Sequence, residues 1–157
     1  MEAVRPSVRP EPRGEAFGPA LAFMRAVWEL EHRLVCASRW MRSRLGVTGP
    51  QSQVIRLVES RPGITAGELA VLLHLHPSTL TGVLERLVRA RLVERWRDSG
   101  DGRRALFRLT RRGKAVAARR SGTAEAAVDR ALSRLDPRDV RAAQRVLTAV
   151  ARELPAG

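Results

Sequence analysis

The sequence predicts a mainly α-helical fold that contains one small β-hairpin. Apolar residues recur at spacings of three and four between residues 18 and 45 and again between 140 and 154, which is typical of amphipathic helices. Thr65 followed by Glu68 matches the capping box that begins a helix. The turn sequence DSGDG separates two short segments, 92–97 and 105–109, and therefore predicts a two-stranded hairpin.

The first predicted helix runs from about Gly18 to Leu45 and carries apolar residues on two sides. One stripe contains Phe23, Val27, Leu30, Leu34, Ala37, Met41 and Leu45, and the other contains Leu21, Met24, Trp28 and Val35. A helix with two apolar faces has to bury both of them. The preceding residues 1–16 hold three prolines among charged residues and predict a flexible tail.

Further helices are predicted on both sides of the hairpin. One runs from about Pro50 to Glu59 and ends before the helix-breaking sequence Arg61-Pro62-Gly63. The residues expected to be buried in the next two helices are Leu69, Leu72 and Leu73, then Leu80, Leu84, Leu87 and Val88. After the hairpin, Thr110 is expected to cap a long helix, and Asp136-Pro137 separates the last two helical segments.

Positive charge is concentrated in about a fifth of the chain. The formal net charge is +13, and residues 81–114 hold eleven Lys and Arg residues against four Asp and Glu residues, a net +7. This concentration indicates a surface that binds a polyanion, with nucleic acid favoured over an anionic membrane.

Several classes of protein are not expected from this sequence. The single cysteine, Cys36, excludes an intrachain disulfide, and no apolar run reaches the roughly 18 residues of a membrane span. The N-terminus lacks the apolar core of a secretory signal.

His74 and His76 resemble a metal-binding pair, but the sequence places no third or fourth ligand. No catalytic nucleophile–base pattern or phosphate-binding glycine loop occurs. We therefore expect a cytoplasmic protein that is not an enzyme and has no cofactor, metal or membrane partner.

Residues 50–110 follow the order helix, helix, short turn, helix and hairpin, which is that of a winged helix-turn-helix. Its second paired helix enters the major groove of DNA. Here that helix presents Ser78, Thr79 and Thr81 opposite its leucines, where small hydroxyl residues permit close approach to the groove. Arg86 can reach a base edge or the DNA backbone. Two other interpretations stay open: Ser78 only caps its helix, and Arg86 pairs with a carboxylate of its own surface.

The tip of the hairpin carries Arg103 and Arg104, which suit the narrow, electronegative minor groove. Asp101 is placed to orient Arg103 through a carboxylate–guanidinium pair. Further charge for phosphate contacts comes from Arg95, Arg97 and Arg108. The alternative is a solvated turn with a weak surface ion pair.

In their order and spacing these segments resemble the DNA-binding core of MarR-family transcriptional regulators. The matching segments are TAGELAVLLHLHPSTLTGVLERL, then RLVER, then Asp101, Arg103, Arg108-Leu109-Thr110 and Gly113. The resemblance implies a homodimer on double-stranded DNA, reading two halves of a palindromic operator about 10 bp apart. The implied parts are a tail (1–16), an N-terminal dimerisation helix (17–46), a winged DNA-binding domain (47–112) and C-terminal dimerisation helices (113–157). The apolar stripes independently require a partner.

Three residues depart from the family's pattern. His74 stands in the turn where the family commonly has glycine, and histidine tolerates a left-handed backbone. Gly82 replaces a larger polar or basic residue on the DNA-facing helix and removes a potential base contact. Gly102 replaces a residue that is often basic, which leaves the minor groove to Arg103 and Arg104.

Many relatives bind a small molecule where the dimerisation helices meet the winged domain. By resemblance, Trp28, His32 and Trp40 are candidates for such an effector pocket, although Trp28 fits a plain core position equally well. Cys36 lies four residues from His32, which favours a thiolate and a redox-sensing hypothesis. The chain has no tyrosine, unlike the peroxide-sensing relatives, and this favours an incidental thiol.

The leading hypothesis is a dimeric, sequence-specific DNA-binding regulator that works in the cytoplasm, associated with the nucleoid through DNA. It would be a repressor whose operator affinity changes when a small-molecule effector alters the angle between its winged domains. The alternative is an architectural protein that coats DNA with little sequence preference, as the high charge and Gly82 suggest. A protein-interaction module is disfavoured by the +7 segment.

Overall fold

The computed structural model describes residues 18–97, 100 and 104–155. This part of the chain forms seven α-helices and three β-strands, which confirms the predicted mainly helical fold. In chain order the elements are α1 (Pro19–Leu45), α2 (Gly49–Ser60), β1 (Ile64–Thr65), α3 (Ala66–Leu73), α4 (Pro77–Arg89), β2 (Val93–Arg97), β3 (Ala105–Leu109), α5 (Arg111–Ala117), α6 (Ala124–Leu132) and α7 (Pro137–Glu153).

Local side-chain and backbone signals define most helix ends. At the start of α3, the Glu68 N–H donates to the Thr65 hydroxyl at 3.2 Å, and the Thr65 N–H donates to the Glu68 carboxylate at 2.8 Å. Thr48 and Gln51 form a second capping box, which begins α2. α1 ends at Leu45, and the next residue, Gly46, has a left-handed backbone with φ 74°. These contacts satisfy backbone groups that a helix end leaves without partners.

α5 is shorter than the sequence suggested. Thr110 caps it as predicted, its hydroxyl accepting the Gly113 N–H at 3.0 Å, but the helix has only 7 residues. The chain then turns at Gly122, where φ is 77°, and Thr123 caps α6. The prediction of a long helix was wrong: α5 already ends at Ala117, and the left-handed Gly122 and the Thr123 cap begin a separate helix, α6.

The sheet has three antiparallel strands in the order β1-β3-β2. The predicted hairpin is present, with Glu94 opposite Arg108 and Trp96 opposite Leu106. The additional strand β1 pairs Ile64 with Phe107. Two residues are too few for a period-two pattern, so the sequence pointed only to the helix cap at Thr65.

One hydrophobic core joins α2, α3, α4 and the sheet. Its fully buried side chains include Ile55, Leu69, Leu80, Leu87 and Val93. Two expected core residues are exposed instead: Val88 at 38% and Leu72 at 40%. α4 buries Val83 in place of Val88. At 100° per residue, Val88 lies about 90° from the centre of the buried stripe, so it falls at the edge of the interface.

The apolar residues of α1, α6 and α7 lie largely outside this core. Met41, near the end of α1, is fully buried, whereas Trp28 is 50% exposed. α6 and α7 contain no buried residue, and Leu147 of α7 is 46% exposed. The described single chain therefore leaves both apolar stripes of α1 partly in solvent. None of the described helices combines the length and apolar character needed to cross a membrane.

Candidate nucleic-acid interface and effector cavity

The turn between α3 and α4 is short and consists of residues 74–76. His74 adopts a left-handed backbone with φ 50°, which the sequence analysis required of a residue in the usual glycine position. The Leu75 N–H donates to the Ala70 carbonyl at 3.0 Å. α4 then begins at Pro77, with His76 as its N-cap.

The start of α4 presents a polar surface to solvent. Ser78, Thr79 and Thr81 are exposed, opposite the buried residues of the same helix. His76 rather than Ser78 provides the side-chain cap: its Nδ1 accepts the Ser78 N–H at 3.3 Å and lies 2.7 Å from the Ser78 hydroxyl. The Thr81 hydroxyl donates to the Pro77 carbonyl at 2.8 Å, and its oxygen keeps accepting capacity.

Arg86 lies one turn after Thr81 and is exposed. Its Nη2 lies 3.8 Å from the position that a Cβ on Gly82 would occupy, so the guanidinium folds back over the glycine. Within the described residues Arg86 forms no ion pair. The guanidinium is therefore available to an external anion.

Two arginines that the sequence predicted to contact DNA lie beside the turn at the tip of the hairpin. Arg97 ends β2 and faces Ala105 across the ladder, and Arg104 immediately precedes β3. Both side chains are exposed. Asp101 and Arg103 lie outside the described residues, so their role stays a prediction.

Arg104 also lies close enough to α3 to influence Glu68. The pKa of Glu68 is lowered mainly by the Thr65 hydroxyl and Thr65 N–H, with further contributions from the positive charges of Arg104 and Arg61. The hairpin and the start of α3 therefore share one electrostatic environment.

Arg108 is engaged within the hairpin itself. Its Nε lies 2.5 Å from Glu94 Oε1, and its guanidinium carbon lies 5.0 Å from the centroid of the Trp96 ring. The pair joins directly opposed residues, and the ring stacks diagonally across the strands. Arg108, which the sequence analysis assigned to phosphate contacts, thus braces the two strands.

A cavity of about 960 Å³ lies between α1, α2 and α6. It is lined by Glu31, Leu34, Val35, Ser38, Arg39, Gly49, Pro50, Gln53, Arg56, Arg120, Thr123, Ala124, Glu125, Ala126, Val128, Asp129 and Leu132. No local sequence pattern marks these residues as a site, because they come from α1, α2, α6 and the loop before α6, which only folding brings together. In the sequence, Glu125 has the character of an ordinary acidic residue at the start of a helix.

The three residues proposed for an effector pocket lie outside this lining. Trp28 and His32 are exposed on α1. Trp40 packs over Gly122, where an added Cβ would come within 2.6 Å of its ring. None of these three residues therefore lines the described cavity.

Cys36 is exposed, and its Sγ lies 3.6 Å from His32 Nε2. This contact matches the four-residue spacing noted in the sequence. Across the described parts of the chain, no three His, Cys, Asp or Glu side chains form a metal-binding group.

Comparison with known proteins identifies the family. The sequence profile of the MarR family matches residues 45–104. The HTH-type transcriptional repressor Rv2887 of Mycobacterium tuberculosis is 34% identical over 105 residues, which cover 67% of this chain and 76% of that protein.

Two solved structures share the fold. The PcaV transcriptional regulator from Streptomyces coelicolor, in complex with its natural ligand, is 26% identical, has a TM-score of 0.72, and the match covers 88% of this chain and 97% of PcaV. S. aureus MepR, in complex with DNA, is 19% identical with a TM-score of 0.71, over 88% of this chain and 99% of MepR. With its winged helix-turn-helix, this chain belongs to the MarR family of transcriptional regulators.

Proposed function

We propose that the protein is a homodimeric repressor that binds a palindromic operator and releases it when a small molecule binds. The observation that carries the DNA-binding part is the polar start of α4 beside a positively charged hairpin, both supported by one core. The residues assigned to DNA are Ser78, Thr79, Thr81 and Arg86 in the major groove, and Arg97, Arg103 and Arg104 at or near the minor groove, with Asp101 orienting Arg103.

The proposed dimer uses residues 17–46 and 113–157, and residues 47–112 form the DNA-binding domain. Its support is the exposure of large apolar side chains on α1, α6 and α7, including Trp28, Leu30, Leu135 and Leu147. Monomeric proteins seldom expose so many apolar side chains on adjoining elements, and a symmetric partner would cover them.

The cavity between α1, α2 and α6 is the proposed effector site. Its walls join the dimerisation helices α1 and α6 to α2 of the winged domain. A ligand that prefers one arrangement of these helices changes the distance between the two winged domains by its differential affinity. PcaV, which shares the fold, was solved with its natural ligand, and MepR was solved with DNA.

The repressor assignment follows the mycobacterial relative, which is named as a transcriptional repressor. We place the protein in the cytoplasm, on the nucleoid, where its DNA is. The alternative of an architectural protein is supported by Gly82, since no side chain projects toward DNA from that position of α4.

A protection footprint on DNA upstream of the protein's own gene, followed by competition with random duplex, tests the proposal. A repressor of this kind protects a palindrome and prefers it over random duplex by about a thousandfold or more. Nearly equal affinity for the two duplexes supports the architectural alternative instead. Absence of binding to either duplex at low salt contradicts both.

A further inference from the structure

Glu125, at the second position of α6, has a carboxylate without partners. Both oxygens are buried, and neither accepts a hydrogen bond. No other buried side-chain oxygen or nitrogen in the described residues is in this situation. The helix dipole favours a negative charge at this position, but a buried carboxylate without donors remains costly.

Glu125 is one of the residues that line the cavity between α1, α2 and α6. Apolar side chains form much of the rest of that wall, including Leu34, Val35, Val128 and Leu132. A cavity of about 960 Å³ with such walls accommodates a drug-sized apolar body and a few polar groups that orient it.

The arginines of the same wall are already engaged or solvated. Arg56 donates to the carbonyl oxygens of Ala117 and Arg119, and it lies 3.8 Å from the carboxylate of Glu59. Arg39 and Arg120 are exposed, so water already solvates their charge. The negatively charged side chain of Glu125 therefore gains most from a new hydrogen-bond partner, and that partner has to donate hydrogen bonds.

We propose that the cavity binds an apolar ammonium or amidinium ligand whose N–H groups donate to Glu125. This inference rests on the proposed function, in which the same cavity is the effector site. Because the oxygens are covered by protein, the Glu125 side chain turns toward the cavity when the ligand binds. The Glu125 carboxylate, which accepts no hydrogen bond without the ligand, then accepts charge-assisted hydrogen bonds from it.

Glu125 is well placed to pass this change to the helices. The preceding residue, Ala124, donates its N–H to Met41 Sδ at 3.4 Å, which ties the start of α6 to α1. Thr123 is buried and bonds the Arg120 carbonyl at 2.9 Å. A movement at Glu125 therefore acts where α6 is anchored to α1.

Calorimetric titration of the full chain with three probes of the same ring system tests the proposal. The probes are 1-naphthylmethylammonium, 1-naphthylmethanol and 1-naphthoate, which differ mainly in the charge of one substituent. We expect the ammonium to bind at least about tenfold more tightly than either of the others, because a hydrogen bond to a charged group usually strengthens binding by at least that factor.

Two variants test whether the preference for the ammonium comes from Glu125. Glu125→Gln should weaken ammonium binding by about tenfold and leave binding of the alcohol within about twofold. The control Glu31→Gln removes an exposed carboxylate from the same cavity wall and should change ammonium binding by less than about threefold. The comparison of probes on the unmodified chain does not depend on either variant folding.

Tighter binding of naphthoate, equal binding of alcohol and ammonium, no binding of any probe, or equal losses in the two variants would each overturn the proposal. Operator binding is measured separately, without probes, by fluorescence anisotropy. A chain that binds its operator but not the ammonium contradicts this inference alone. A chain that binds the ammonium but no duplex contradicts the proposed function alone.

Discussion

The winged domain and the helices that flank it treat their apolar side chains differently. In the winged domain, Leu69, Leu80 and Leu87 are buried by residues of the same chain. In the flanking helices, Trp28 and Leu147 remain about half exposed. The apolar side chains of the first region are covered by its own chain, whereas those of the second stay partly in solvent. The same apolar spacing in sequence therefore leads to two different degrees of burial.

The largest expected effect is in the core. Leu87→Ala removes a side chain that is 0% exposed and should lower the free energy of unfolding by about 3 kcal/mol, through lost burial and the cavity left behind. Urea denaturation followed by circular dichroism measures it. The control Val71→Ala alters a residue that is 73% exposed on α3 and should stay within about 0.5 kcal/mol of wild type. Equal losses in the two variants would contradict the assigned core.

The next test concerns the flanking helices. Leu147→Glu places a charge on the apolar side of α7 and should convert a dimer of 17.4 kDa chains to monomers, as measured by sedimentation equilibrium. The control Thr148→Glu introduces the same charge beside Arg141 and Arg145 and should leave the dimer intact. A wild-type monomer, or a Leu147→Glu dimer, would remove α7 from the proposed interface.

A third test separates charge at the DNA surface from charge elsewhere. Arg104→Ala should weaken operator binding and reduce the slope of log affinity against log salt by about one, the loss of one phosphate contact. Arg134→Ala removes an exposed arginine from the turn between α6 and α7 and should leave the slope unchanged. An unchanged slope for Arg104→Ala would show that this arginine at the tip of the hairpin does not contact DNA.

Gly82 provides a smaller effect on stability. An added Cβ meets only Arg86 Nη2, at 3.8 Å, so Gly82→Ala should raise the free energy of unfolding by about 1 kcal/mol through helix propensity. Gly67→Ala, at the start of α3, is the matched control, because its added Cβ meets only Thr65 Oγ1, at 4.0 Å. A loss of stability in Gly82→Ala would mean that α4 requires the glycine for a reason other than space.

The smallest expected effect is the pH dependence of the α3 cap. Because the pKa of Glu68 is lowered from 4.5 in the folded chain, its stabilising contribution is present above that value and is lost as pH falls through the lowered pKa. The difference in unfolding free energy between wild type and Glu68→Gln should therefore shrink below pH 4.5. A difference that does not change with pH would assign the cap to the hydroxyl of Thr65 alone.

Much of the fold could be predicted from the sequence because the residues that begin and end its helices act within one helical turn. Thr65 and Glu68, Gly46 with its left-handed backbone, Pro77 and Thr110 begin or end helices through backbone groups a few residues away. The polar side of α4 followed in the same way from residue types at helical spacing. For such features, the residues that matter are neighbours in the sequence, so their identities suffice.

Other features depend on partners that the sequence does not name. Spacing suggested Val88 as a core residue, but the packing direction of α4 selected Val83. The two-residue strand β1 exists only because β3 provides its hydrogen bonds. The cavity is formed by residues from α1, α2 and α6, and the unpaired state of Glu125 follows from what those helices place around it. Contacts between residues far apart in the chain are set by how whole elements pack, and local residue patterns do not encode that geometry.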